Sequence, residues 1–259
     1  MKLGDHDIHV WLAFDDDCSG SRWFRELEQV LQPHERDIAA RRMEHLRTQY
    51  LLTRVLQRSV LSLYAPRIAP AQWRFASGDD AKPELAPEFS ALRLQFNLSH
   101  TARLVVMAVG RLPLMGIDAE CLAVPRTPLG IADRFFTTAE LAALATLPAA
   151  DHPRRFYALW VLKEAWMKAT GAGIAADTCA LSFEFEDASR ACAFQMTQDD
   201  ARQWSFWQGA PGEEHTLALA LRADADVSVF RCLPRDTFAW EPWPPLRRVR
   251  SDQEQRSQA

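Results

Sequence analysis

Two kinds of apolar spacing alternate along the chain. The run Ile8-His9-Val10-Trp11-Leu12-Ala13-Phe14 is β-branched and aromatic and is closed by Asp15-Asp16-Asp17, which predicts a first strand. Helical spacing follows. A helix is expected over 22–31 and, after Pro33, a longer one over about 37–64, with Ile38, Leu46, Leu51, Leu52, Val55, Leu56, Val60 and Leu61 as its apolar stripe. Pro66 and Pro70 end it, and strand-like runs then occupy 72–76, 92–99 and 103–109.

After the turn Arg111-Leu112-Pro113 the order starts again. A strand is expected over 114–120, helices around 131–134, 138–147 and 153–170, strands at 181–186, 204–208 and 216–223, and an edge piece at 227–232. Strand, helices, then several strands occurs twice without a visible residue-level repeat. This order predicts an α+β protein of two similar halves, 1–112 and 113–240, with a ligand site between them. The tail, 241–259, mixes prolines, arginines and glutamines and is expected to be partly disordered.

Composition narrows the class. With 48% hydrophobic and 25% charged residues the chain reads as globular. Its first residues are acidic where a signal peptide is basic, and no run approaches the ~20 apolar residues that span a bilayer. A cytoplasmic protein without a membrane partner is expected. A net charge of -4 argues against nucleic acid as a partner. Five scattered cysteines without a Cys-x-x-Cys pair indicate neither a disulfide framework nor a zinc site.

The candidate chemistry begins with Trp160, Glu164 and Lys168. On a helix these share one face, Gly171 and Gly173 ending it, so a carboxylate and an amine stand side by side; alone this is also an ordinary amphipathic pair. Asp118 and Glu120 alternate with Ile117 and Ala119, which in a strand sends both carboxylates to one side. With Glu164 they would make an oxygen-only cluster of the kind Mg²⁺ takes, whereas an Asp-x-Glu by itself also flanks turns. Asn97-Leu98-Ser99-His100 ends a strand. It reads as a nucleophilic Ser–His pair, as a phosphate-binding corner, or as a plain turn, and the lack of a Gly-x-Ser-x-Gly elbow counts against the first. Arg47, Arg54 and Arg58 fall on one helix face, an anion site or a solvated surface.

Taken together, Lys82-Pro83, Phe96-Asn97-Leu98-Ser99-His100, Gly116-Ile117-Asp118-Ala119-Glu120, Arg134-Phe135-Phe136 and Trp160-x-x-Lys163-Glu164-Ala165-x-x-Lys168-x-x-Gly171-x-Gly173 resemble the ordered motifs of the Sfp-type 4′-phosphopantetheinyl transferases, over about residues 30–185. The resemblance implies two pseudosymmetric α+β halves with the active site between them. It implies transfer of the phosphopantetheine arm of coenzyme A to a serine of an acyl or peptidyl carrier protein, releasing adenosine 3′,5′-bisphosphate. By the same resemblance Asp118, Glu120 and Glu164 would hold Mg²⁺, and His100 and Lys168 would contact the pyrophosphate. Lys82 and Ser99 would reach the 3′-phosphate side of the coenzyme, with Arg36, Arg41 and Arg47 as basic contacts there. Glu164, Lys168 and His100 would be the catalytic residues, with Glu120 or a metal-bound hydroxide as other candidates for the base.

The chain departs from the pattern at Ala81, where a glycine commonly precedes Lys-Pro, and at Tyr50, where some relatives have a small hydroxyl residue. The segment 121–127, with Leu122 and Val124, resembles the variable loop near which carriers dock, or it packs inward. A transient carrier partner and a monomeric protein are expected. A silent coenzyme A-binding or carrier-binding module and a metal-dependent pyrophosphohydrolase are the competing readings.

Overall fold

In the computed structural model, which describes residues 1–28, 31–76, 83–123, 131–173, 177–197 and 201–252, the first apolar run forms strand β1 (Asp7–Phe14). Its residues Ile8 to Ala13 are buried on both faces, which explains a near-continuous apolar run rather than an alternating one. Helices α1 (Asp15–Cys18), α2 (Arg22–Glu28), α3 (Pro33–Ala40) and α4 (Glu44–Tyr64) follow, then the hairpin of β2 (Gln95–Thr101) and β3 (Leu104–Gly110). Two late segments, β9 (Asp226–Cys232) and β10 (Trp240–Trp243), complete the first sheet in the order β10-β9-β1-β3-β2. Trp11 stands opposite Met107 of antiparallel β3 and Phe230 of parallel β9. Leu52, Val55, Leu56 and Val60 of α4 join Trp11, Trp73, Val105 and Met107 in one core.

Three expectations need correction here. The helix expected over 37–64 is two helices, because Arg41 caps α3 and the extended backbone of Met43 restarts the chain as α4. The strand expected over 72–76 reduces to a single bridge between Phe75 and Leu85 after a short 3₁₀ turn at Pro70–Gln72. The piece at 227–232 is an interior strand, because β1 offers it an open edge and β10 covers its other side.

The second unit takes Leu112–Ala225 and Leu246–Ala259, and the first takes Met1–Arg111 and Asp226–Pro245. The half expected over 113–240 therefore gives its last strand to the first sheet. This unit contains β4 (Met115–Cys121), α5 (Ala132–Phe135), α6 (Thr138–Ala145), α7 (His152–Thr170), β5 (Leu181–Phe185), β6 (Ala191–Met196), β7 (Ser205–Gly209), β8 (His215–Leu221) and, from the tail, β11 (Arg247–Ser251). The sheet order is β4-β8-β7-β11-β6-β5, so β4 is an edge strand, and α7 lies across β4 and β8. Buried Val249 anchors β11 opposite Phe206, which gives part of the tail a structural role. Phe135, Phe156, Leu162, Phe183, Phe194 and Phe206 form this unit's core. Among the described residues no helix is long and apolar enough to cross a membrane.

Candidate active site

The site in the second unit begins with a close approach. A Cβ on Gly116 would lie 2.0 Å from the Ala165 carbonyl oxygen and 2.4 Å from the Ala169 nitrogen, both backbone atoms of α7. Only glycine lets the helix rest on β4 at this depth. The contact sets the register between strand and helix. Two residues on from Gly116, Asp118 meets Lys168: Nζ donates to Asp118 Oδ1 at 2.7 Å and to the Ile117 carbonyl at 3.3 Å. Asp118 is buried and Lys168 is about one-third exposed, so the pair lies at the boundary of the core rather than within it.

Glu164 lies one turn before Lys168 and is half-buried, as Trp160 is one turn earlier, in keeping with the shared face read from the sequence. Burial pushes the Glu164 carboxyl above its ordinary value, the negative charge of Asp118 adds to that rise, and the Lys168 ammonium opposes it. Glu164 and Asp118 are thus neighbours that repel, with one ammonium between their interests. On β4, Ile117 and Ala119 are fully buried, and Glu120 is half-buried opposite Thr216 of β8. Among the described residues no three His, Cys, Asp or Glu side chains gather as a metal-holding group. It is the Lys168 ammonium that meets Asp118.

The remaining expected residues belong to the first unit. On β2, Ser99 is buried and its neighbour His100 is exposed, so the two side chains leave opposite faces of the strand. Arg36 in the middle of α3, Arg41 at its C-cap and Arg47 in the first turn of α4 are exposed. The arginine face read over Arg47, Arg54 and Arg58 does not hold together. Arg58 is withdrawn into the core, donating to Glu35 Oε2 at 2.7 Å and to the Trp73 carbonyl at 2.8 Å. Arg54 and Arg42 instead approach the Tyr50 ring, at 5.2 and 4.8 Å from its centroid. Lys82, Ala81 and residues 124–127 of the expected docking loop lie outside the described residues.

One residue of the quoted motif has a place that its pattern did not disclose. Lys163 is fully buried, and its ammonium is held by Glu140 Oε2 at 2.7 Å, the Thr178 carbonyl at 2.9 Å and the Leu181 carbonyl at 2.7 Å. Glu140 in turn closes the capping box of α6, accepting from the Thr137 nitrogen, and accepts from the Phe183 nitrogen through its other oxygen. The signal was present as Thr137-x-x-Glu140, the Ser/Thr-x-x-Glu signature of a helix start.

Residues 114–220 match the family described as the 4′-phosphopantetheinyl transferase superfamily. The chain is 37% identical over 177 residues to the 4′-phosphopantetheinyl transferase HetI of Nostoc sp., covering 68% of this chain and 73% of that protein. It is 30% identical over 219 residues to a phosphopantetheinyl transferase of Thraustochytrium sp., covering 78% and 75%. Identity to the 4′-phosphopantetheinyl transferase Sfp of Bacillus subtilis is 32% over 146 residues, 56% of this chain and 62% of that one.

Proposed function

The chain belongs to the 4′-phosphopantetheinyl transferase superfamily, and from that premise we propose how its residues move the phosphopantetheine arm of coenzyme A onto a carrier-protein serine. The enzyme is a transferase of this family. The observation that carries the reading is the meeting of Asp118 and Lys168, with Glu164 one turn away, on a helix that Gly116 admits onto β4.

In the step proposed, the serine oxygen forms a bond to the phosphorus that bears the pantetheine arm. The phosphoanhydride bond to the nucleotide breaks, and adenosine 3′,5′-bisphosphate leaves with the bonding pair. The serine proton passes to a base at hydrogen-bond distance, Glu164 directly or through a water, or Glu120 where Glu164 is taken up by a metal ion. Lys168 supplies positive charge to the diphosphate, and His100 donates to it. Asp118 and Glu164 are hard oxygen donors that repel each other, which favours a cation beside them. Glu120 would have to move in, and Lys168 to yield its place on Asp118, for the three to hold one metal ion. Mg²⁺ bound there would neutralise the charge that develops on the departing 5′-phosphate of the nucleotide. Ser99, Arg36, Arg41, Arg47 and Lys82 are assigned to the nucleotide phosphates, and a monomer that meets its carrier transiently completes the reading.

Intact mass measurement on a purified apo-carrier incubated with the enzyme, coenzyme A and Mg²⁺, beside an EDTA control, tests this directly. A metal-dependent gain equal to one phosphopantetheine arm is expected, and Asp118→Ala is expected to lower the rate by about 10³-fold or more while leaving the fold intact. Equal rates with and without EDTA would remove the metal assignment. Absence of any gain with acyl and peptidyl carriers, alongside measured coenzyme A binding, would favour the silent binding module.

A further inference from the structure

Lys163 is used by no step above, yet among the described residues of the second unit it is the most deeply buried cation. All three of its N–H groups have acceptors, on three different segments: the start of α6, the turn before β5, and the first residue of β5. Burial lowers the lysine's proton affinity and Glu140 raises it. A buried pair of this kind adds little net stability compared with apolar side chains of the same size, because desolvation offsets the attraction. What it provides is directional. An ammonium with three fixed acceptors tolerates little rotation of the helix that carries it.

The first unit contains the same arrangement. Glu35 occupies the third position of α3, accepts from the Gln32 nitrogen in a capping box, and binds Arg58, which lies 23 residues later on the long helix α4. Lys163 likewise lies 23 residues after Glu140. Arg58 donates to a carbonyl 15 residues further on, at Trp73, and Lys163 to one 15 residues further on, at Thr178. Two independent uses of one spacing point to a mount for the long helix. In the second unit alone the residue after the mount is the carboxylate Glu164 and the residue five later is Lys168; the matching residues on α4 are Ser59 and Leu63.

We propose that Lys163 and Glu140 are positioning residues for phosphopantetheine transfer. Their ion pair fixes the rotation of α7 from one side while the contact at Gly116 fixes it from the other, so that Glu164 and Lys168 are presented to Asp118 and the substrate diphosphate. This rests on the reading of Glu164 and Lys168 given above.

The test compares Lys163→Met, Lys163→Arg and Glu140→Gln with the unaltered enzyme by thermal unfolding and by separate measurement of kcat and KM for coenzyme A. Lys163→Met is expected to unfold cooperatively and to lose about 10²-fold in kcat, the effect of an ångström-scale misplacement, with a much smaller change in KM. Lys163→Arg, which imitates Arg58, is expected to restore most of kcat. Glu140→Gln removes the charge and one of the two acceptor oxygens, setting an NH2 against the Phe183 nitrogen or against the Thr137 nitrogen and the Lys163 ammonium, and is expected to lose more kcat than Lys163→Arg. A stably folded Lys163→Met with unaltered kcat would overturn the proposal, as would losses in kcat that track the losses in Tm across all three variants. Should Lys163→Met not fold, Glu140→Gln and Lys163→Arg decide by the same criteria. Failure of the unaltered enzyme to transfer would instead count against the assigned reaction.

Discussion

The two units share a frame and differ in what it carries. In each, a first strand pairs with the second strand of a hairpin, β1 with β3 and β4 with β8, and a long helix is mounted by a buried base on a capping glutamate. In the first unit β1 is buried from Ile8 to Ala13, with His9 its one polar residue in that run, and is flanked by β3 and β9; α4 adds leucines and valines to the same core and the Tyr64 hydroxyl to His9 and Trp11. In the second, β4 stands at the sheet edge and carries Asp118 and Glu120, while α7 brings Glu164 and Lys168. Both strands are largely buried, where unpaired charge is costly. On β4 the buried Asp118 has the Lys168 ammonium beside it and Glu120 is half-buried. The frame and the chemistry are therefore separable: one mount serves packing in one unit and presentation of reacting groups in the other.

The hardest challenge to this comparison is Arg58→Met. It leaves buried Glu35 with only Arg54, whose Nε stands 3.9 Å from Oε1, as a charged partner, and a loss of about 3 kcal/mol, the lower end for a broken buried pair, is expected by denaturant unfolding. The kcat of the folded fraction should stay near the unaltered value. A selective kcat loss as deep as that expected for Lys163→Met would show that both mounts present reacting groups, and the contrast would fall. Gly116→Ala comes next. Its Cβ meets helix backbone, which cannot swing aside, so strand and helix must part at a cost of about 1–3 kcal/mol with a marked loss of transfer. Gly110→Ala in the first unit is the control, since its tightest contact is the tip of the Ile8 side chain, and it should cost less. Equal effects at the two glycines would deny Gly116 its special place.

The smallest effect concerns Glu164 in metal-free buffer. Its carboxyl is raised in the folded state above the ordinary glutamate value, so the native protein binds that proton more tightly than the unfolded chain does. Stability then declines as pH rises from the ordinary value through the raised one, and stays lower above it. Glu164→Gln lacks this decline. Its Tm at neutral pH should equal or slightly exceed that of the unaltered enzyme, with the difference shrinking as the buffer is made acidic, even though transfer is lost. A Tm lower at neutral pH than at acidic pH relative to the parent would contradict the assignment of Glu164 as a strained, charge-repelled carboxylate.

What the sequence determined by itself was local. Period-two alternation at Ile117-Asp118-Ala119-Glu120 and the four-residue steps from Trp160 to Lys168 follow from backbone geometry alone, and the order of motifs identified the family. Only the tertiary structure decided which distant groups meet. Gly116 belongs to a quoted motif, but the approach of α7 that requires a glycine there has no mark in the sequence. Arg58 looked like part of a basic face until Glu35 and the Trp73 carbonyl drew it inward. The segments that form β9 and β11 carried strand or tail character but no mark of their destinations, the first sheet and the second. Periodicity reports how a residue faces its own element. Pairing partners are chosen by the burial and hydrogen bonding of the whole assembly, a free-energy balance over residues far apart in the chain.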